Sequence, residues 1–88
     1  MKASKLNKPD KPAKPLDSVL TPRELEVALA IYDGLSNASG AKKLGIARPT
    51  FIVHLHTVFI KLNVASRSMV VRRVADWRAG SGKAGKQV

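Results

Sequence analysis

Thr21-Pro22-Arg23-Glu24 fixes the start of a helix more firmly than any other stretch of this 88-residue chain. A threonine at the cap accepts a bond from the third helical amide, and the glutamate three residues on reaches back to the cap amide. Proline at the first helical position sets φ near about −65° and brings no amide needing a partner. Leu20 before the cap and Leu25 after the box are spaced as a hydrophobic staple. Leu25, Ala28, Leu29 and Tyr32 then line one face, flanked by Val27 and Ile31, and Gly34 supplies a left-handed stop. The stretch predicts a helix near 22–33.

The same punctuation recurs three times. Ser36 or Asn37 caps a second, short helix over 37–44, ended by Gly45. A third runs over 48–62, starting near Arg48-Pro49-Thr50. Its Phe51, Leu55, Val58 and Leu62 fall at i, i+4, i+7 and i+11, one inward stripe, and Asn63 takes the left-handed stop. Ser66 caps a fourth over 67–78, with Met69, Val70, Val74 and Trp77 as its apolar positions. Phe51 to Ile60 is rich in strand formers, but no alternating pattern is bounded by turns. The expected fold class is all-α, with a core of Leu25, Leu29, Tyr32, Leu44, Ile46, Phe51, Leu55, Val58, Leu62 and Val74.

Outside these helices the chain loses its apolar rhythm. Residues 1–18 carry three of the five prolines among five lysines, and residues 80–88 are glycine-rich, so both are expected to be disordered, as a basic arm and a short tail. The remaining domain, 19–79, is of a size that buries only about 60% of its unfolded surface, and dimerisation would help it. With no cysteine, disulfides, thiolate zinc sites and cysteine nucleophiles are excluded. His54 and His56, about 200° apart on a helix, cannot share a metal ion, and no cofactor site is expected. The longest uncharged run, Pro49 to Ile60, is far short of the about 20 apolar residues that cross a bilayer. No apolar segment follows the first residues as in a secretion signal, so a cytoplasmic, nucleoid-associated protein is expected. The net charge is +10, and residues 19–79 hold nine Lys and Arg against four Asp and Glu, so the folded part itself calls for an acidic partner.

Two helices joined by a tight glycine turn in a small basic domain form the pattern of a helix-turn-helix, here about 37–56 and extending to 62. Ala41 leaves room for the crossing, Leu44 anchors it, Gly45 turns and Ile46 plugs the turn. The residues from Leu20-Thr21-Pro22-Arg23-Glu24-Leu25-Glu26-Val27 through Gly34-Leu35-Ser36-Asn37, Ala41, Leu44-Gly45-Ile46, Thr50, Val53-His54-Leu55, Lys61-Leu62 and Ser66-Arg67 stand in a more specific order. In that order and spacing the stretch from Leu20 to Val74 resembles the LuxR/FixJ-type, GerE-like helix-turn-helix family of bacterial transcription regulators. The resemblance implies a four-helix domain whose third helix enters the DNA major groove and whose fourth forms a two-fold dimer contact. It implies a transcription regulator rather than an enzyme. Carried over by position, Ile52, Val53 and His56 read bases, Lys42, Lys43, Arg48, Thr50, Lys61 and Arg67 hold phosphates, and Met69, Val70 and Trp77 meet the second protomer.

The chain departs from the family at four places. Ala38-Ser39-Gly40 replaces the usual Lys-Glu-Ile run, which puts glycine at an apolar core position and is expected to leave the second helix the least stable. Ala47 stands where serine usually caps the third helix, and Thr50 is the nearest substitute. Ile52 and Ile60 occupy positions that are basic in many relatives, so the recognition helix carries no fixed charge from Pro49 to Ile60. Such a helix offers apolar contact to thymine methyls and one imidazole, not the arginine-to-guanine bond. Two other readings follow: an interaction module whose apolar third helix binds another regulator, and a nucleoid or RNA binder acting through charge alone. Because no receiver or ligand-binding domain precedes Leu20 within these residues, the expectation is a stand-alone regulator whose signal comes from elsewhere, such as a protein partner.

Overall fold

The computed structural model describes residues 15–84, with side chains through residue 80. Five helices follow one another: α1 (Leu16–Val19), α2 (Pro22–Tyr32), α3 (Asn37–Leu44), α4 (Arg48–Leu62) and α5 (Arg67–Ala84). No strand occurs among the described residues, and Phe51 to Ile60 is helical throughout.

The all-helical expectation holds, and the four predicted helices are α2 to α5. The first turn, α1, was not expected. Leu16 is only 1% exposed and joins the core, while the Ser18 amide and hydroxyl both donate to the Pro15 carbonyl. The arm expected through Ser18 therefore ends sooner, since one leucine is enough to draw Pro15–Ser18 onto the domain; residues 1–14 lie outside the described part. At the other end α5 continues to Ala84 instead of stopping near Arg78, so the tail expected from residue 80 is helical for its first five residues. Glycine lowers helix propensity by about 1 kcal/mol but does not end a helix unless it turns left-handed. Residues 85–88 lie outside the described part.

α2 is the central element, packed against α5, α4, α3 and α1. Its capping box is complete: the Glu24 amide donates to Thr21 Oγ1 (3.2 Å) and the Thr21 amide donates to Glu24 Oε1 (3.0 Å). Being covered on several sides moves its buried arc. Val27, Ala28, Ala30 and Ile31 are fully enclosed, whereas Leu25, Leu29 and Tyr32, expected at the centre of the core, pack at its edge and are only partly buried. Leu44 and Ile46 are likewise edge residues, and Phe51, Leu55, Val58, Leu62 and Val74 are buried as expected.

α3 is capped by Ser36, whose hydroxyl accepts from the Ser39 amide (3.0 Å), and ends at left-handed Gly45. Gly40 is not a hole in the core. A Cβ placed there would lie 2.6 Å from Phe51 Cε2 and Cζ, so the Phe51 ring fills the space that an apolar side chain on α3 would otherwise take. α4 starts at Ala47 with no side-chain cap, and Thr50 does not replace one. Its far end is tied down more fully: Asn63 adopts φ 56°, the Asn63 and Val64 amides donate to the Ile60 and Phe59 carbonyls, and Arg73 Nη1 donates to the Leu62 carbonyl (2.8 Å). Such bonds satisfy carbonyls that a helix end leaves without partners.

Candidate nucleic-acid interface

The turn between α3 and α4 is closed from within: the Gly45 amide donates to the Lys42 carbonyl and the Ile46 amide to the Ala41 carbonyl (3.0 Å). Arg23 reaches across from α2, pairing with Glu26 (3.0 Å) and donating to the Leu44 carbonyl (3.3 Å). α4 is therefore held at its N-terminal end by a braced turn and along its length by Phe51, Leu55, Val58 and Leu62. Burial of Phe51 and Leu55 fixes its rotation, so the opposite face looks outward.

That outward face carries Val53, 61% exposed, and Ile60, 77% exposed, with exposed His56 between them. At 100° per residue Val53 and Ile60 fall within about 20° of each other, and Ile52 and Phe59 lie on one flank, half-buried. The Thr57 hydroxyl is turned back onto the Val53 carbonyl (3.2 Å), and the His56 ring stands 6.5 Å from that of Phe59. His54, half-buried, lies on the other flank, away from His56. No group of three or more His, Cys, Asp or Glu that could hold a metal occurs among the described residues. The face is thus apolar with a single imidazole, and the three residues expected to read bases, Ile52, Val53 and His56, form one patch on it.

The cations divide into two sets. Lys42, Lys43, Arg48 and the Thr50 hydroxyl are exposed near the turn, beside the N-terminal half of α4. Lys43 lies 3.9 Å from Asp33 with both side chains at least half exposed, a pair worth little in water. Lys61 and Arg67, also expected at phosphates, are bonded to other helices of the domain while remaining exposed. Lys61 Nζ sits 2.8 Å from Glu24 Oε1, joining α4 to the capping box of α2. Burial alone would push the Glu24 carboxyl up, but the bonds from Lys61 and the Thr21 amide, with the Lys61 charge, hold it below the ordinary value. Arg67 donates to Asn37 Oδ1 and to the Leu35 carbonyl, each at 2.7 Å, and so ties the start of α5 to the start of α3. Sequence reasoning missed the bracing roles of Arg23 and Arg73 as well. The usable signal was the preference of cations for carbonyls at helix C-termini.

On α5 the residues expected at a second protomer separate. Met69 is 44% exposed and faces outward, Trp77 is half-buried against the core, and Val70 is 0% exposed, enclosed within its own domain. Val70 is therefore a core residue and not available to a partner: with Val74 one turn on, it forms the stripe by which α5 packs on α2. No helix of the described residues is long and apolar enough to cross a membrane.

Comparison with known proteins agrees with this geometry. The model of the bacterial regulatory proteins of the luxR family matches residues 18–74, from the turn before α2 to the middle of α5. Two relatives, each described as HTH-type transcriptional regulator MalT, come from Vibrio campbellii and Vibrio parahaemolyticus. Each is 36% identical over 66 residues, which cover 75% of this chain and 7% of the relative. The likeness thus reaches only a small part of those much longer proteins. Over the braced helix-turn-helix and its flanking helices, the chain belongs to the luxR family of bacterial regulatory proteins, as a DNA-binding helix-turn-helix member.

Proposed function

We propose that this protein is a DNA-binding transcription regulator that lays α4 in the major groove and acts as a dimer through the outward face of α5. The observation that carries the reading is the exposed face of α4, held outward by its buried opposite side, beside a cluster of exposed cations at Lys42, Lys43 and Arg48, of which Lys43 has only the weak, solvated contact with Asp33. Those cations and Thr50 position the protein on phosphates, and Ile52, Val53 and His56 meet base edges. Lys61 and Arg67 act one step back, fixing how α4 and α5 sit. Met69 is the apolar residue that α5 offers to a second protomer, with two-fold related half-sites spaced by about one helical turn of DNA. The same reading makes the protein cytoplasmic and nucleoid-associated, without catalytic chemistry, and takes its signal from a protein partner.

The test is a binding titration of the whole chain on duplex DNA across a salt series. Three phosphate-bound cations in each of two protomers give a log–log salt slope of at least about 5 in magnitude, and replacing Lys42 and Lys43 together by alanine shrinks it by about 3 to 4. Saturation at two protomers per palindromic site is the expected stoichiometry; one per site overturns the dimer. Absence of binding to any duplex favours the second reading, a protein-interaction module. The strong exposure of Val53 and Ile60 is what supports it.

A further inference from the structure

We infer that the outer face of α4 is specific for pyrimidine 5-methyl groups, with Val53 and Ile52 as the side chains that read them; the inference rests on the DNA-binding reading above. The major groove presents hydrogen-bond donors and acceptors at every base pair, and its one apolar mark is the C5-methyl group of thymine. A face built of Ile52, Val53 and Ile60 offers nothing to guanine N7 and O6 or to the exocyclic amines. Laid against them, it strips water from polar edges and returns no bond. Laid against methyl groups, it buries apolar surface on both sides.

Most of the polar side chains near that face already have partners within the domain. Lys61, the nearest cation along α4, is bound to Glu24 at 2.8 Å. Arg67 is spent on Asn37 and the Leu35 carbonyl. The Thr57 hydroxyl is folded onto its own helix. The exposed cations Lys42, Lys43 and Arg48 sit by the turn and in the first turn of α4, not on its outer face. His56 and, in the first turn, the exposed Thr50 hydroxyl are then the polar side chains left on that side of α4, one imidazole and one hydroxyl beside an apolar strip. Val53 and Ile60 lie two turns apart on one line, about 10.5 Å along the axis at 1.5 Å per residue, or about three base-pair rises. The strip therefore suits a run of methyl-bearing steps rather than one isolated thymine. 5-Methylcytosine places the same methyl at the same ring position, so the recognised chemistry is shared by two bases that a binding experiment can separate.

Three pools of random duplexes, identical but for their pyrimidines, provide the probe. One contains thymine, one contains uracil in its place, and one contains uracil with 5-methylcytosine for cytosine. The full chain is expected to enrich thymine-rich duplexes from the first pool, and resynthesis of these with uracil weakens binding about fourfold for each contacted methyl lost. Val53→Ala, at an exposed position that leaves the core intact, brings the thymine-to-uracil ratio toward one. Lys42→Ala lowers affinity for both forms and leaves the ratio standing. Stronger retention of the third pool than of the second assigns the methyl group to methylated cytosine as well. Equal affinity of selected duplexes in thymine and uracil forms overturns methyl reading while DNA binding stands. Retention of none of the pools overturns DNA binding too and turns the α4 face over to a protein partner.

Discussion

The two faces of α4 are almost equally apolar, yet they have opposite surroundings. Phe51, Leu55, Val58 and Leu62 on one side are at most 5% exposed, while Val53 and Ile60 on the other are 61% and 77% exposed. A helix apolar nearly all round is ordinarily buried all round. Here the four-residue spacing from Phe51 to Leu55, the left-handed stop at Asn63 and the Lys61–Glu24 bond fix which side goes in. Rotation is set by shape and by one ion pair, not by a contrast between apolar and polar faces. The exposed side is then free to differ from relatives without disturbing the fold.

The strongest way to break this contrast is at the inner face, where α3 crosses. Phe51→Ala is expected to lower stability by about 3 to 5 kcal/mol, the usual range for removing a buried phenylalanine. In a domain this small that is a large part of the whole. Gly40→Ile drives a side chain into the Phe51 ring, which a Cβ alone already approaches to 2.6 Å, and overpacking of this kind costs about 1 to 3 kcal/mol. Combining Gly40→Ile with Phe51→Val restores much of the loss, because the volume moves from α4 to α3. Urea unfolding of the wild type, Gly40→Ile, Phe51→Val and the double variant measures the coupling. Additive losses would show that the two positions do not share one space.

The seam between the faces is the Lys61–Glu24 bond, and its effect is smaller and pH-dependent. The Glu24 carboxyl lies below its ordinary value of 4.5, so its contribution is complete above that pH and is lost as pH falls through the lower folded value. Removing one partner of a fully buried pair costs about 3 to 5 kcal/mol, but the Lys61 side chain is 36% exposed and solvent screens it. Glu24→Gln is therefore expected to cost about 1 to 2 kcal/mol at neutral pH. The gap between variant and wild type should close in acid. A difference that stays constant as pH is lowered from neutral until the domain unfolds would mean that Glu24 acts through its shape and capping bonds alone.

What the sequence disclosed was local. Thr21, Ser36, Gly45, Asn63 and Ser66 act on amides and carbonyls within a few residues, so the ends of α2, α3 and α4 and the start of α5 were legible. The stripe through Phe51 and Leu62 was legible because α4 packs on one side only. α2 is covered on several sides, so its buried arc centres on Val27, Ala28 and Ile31 instead of on its largest residues. Leu16 was hidden behind prolines and lysines, and its neighbours at helical spacing, Val19 and Leu20, read as no more than the approach to the α2 cap. At the candidate site, Ile52, Val53 and His56 came from the family resemblance by position, and the stripe of α4 told only that Val53 and His56 would face outward; the commitments of Lys61 and Arg67 could not be told at all. Their partners are 37 and 30 residues away along the chain, and a cation bonded to another helix reads in sequence like one left for phosphate. Val70 failed for a related reason: an apolar residue on a terminal helix suits a core and a partner equally well.

The outer face gives the smallest effect and the one most particular to this chain. Ile52 is half-buried on the flank of α4, so Ile52→Ala should leave the unfolding midpoint nearly where it was, unlike Phe51→Ala one residue away. Its effect belongs to binding: a loss on the order of 1 kcal/mol on the preferred sequence, at or below the floor for a good base contact, and much less on a scrambled duplex. Ile52→Lys restores the charge usual in the family at this position. It is expected to tighten binding to both duplexes and to change the preferred base, since a lysine bonds guanine and attracts phosphate whatever the sequence. Titration of the three proteins on both duplexes, with unfolding curves on the same samples, separates the faces. Equal loss on both duplexes would place Ile52 at the backbone. A loss of stability matching that of Phe51→Ala would place it in the core, and the distinction between the two sides of α4 would fall with it.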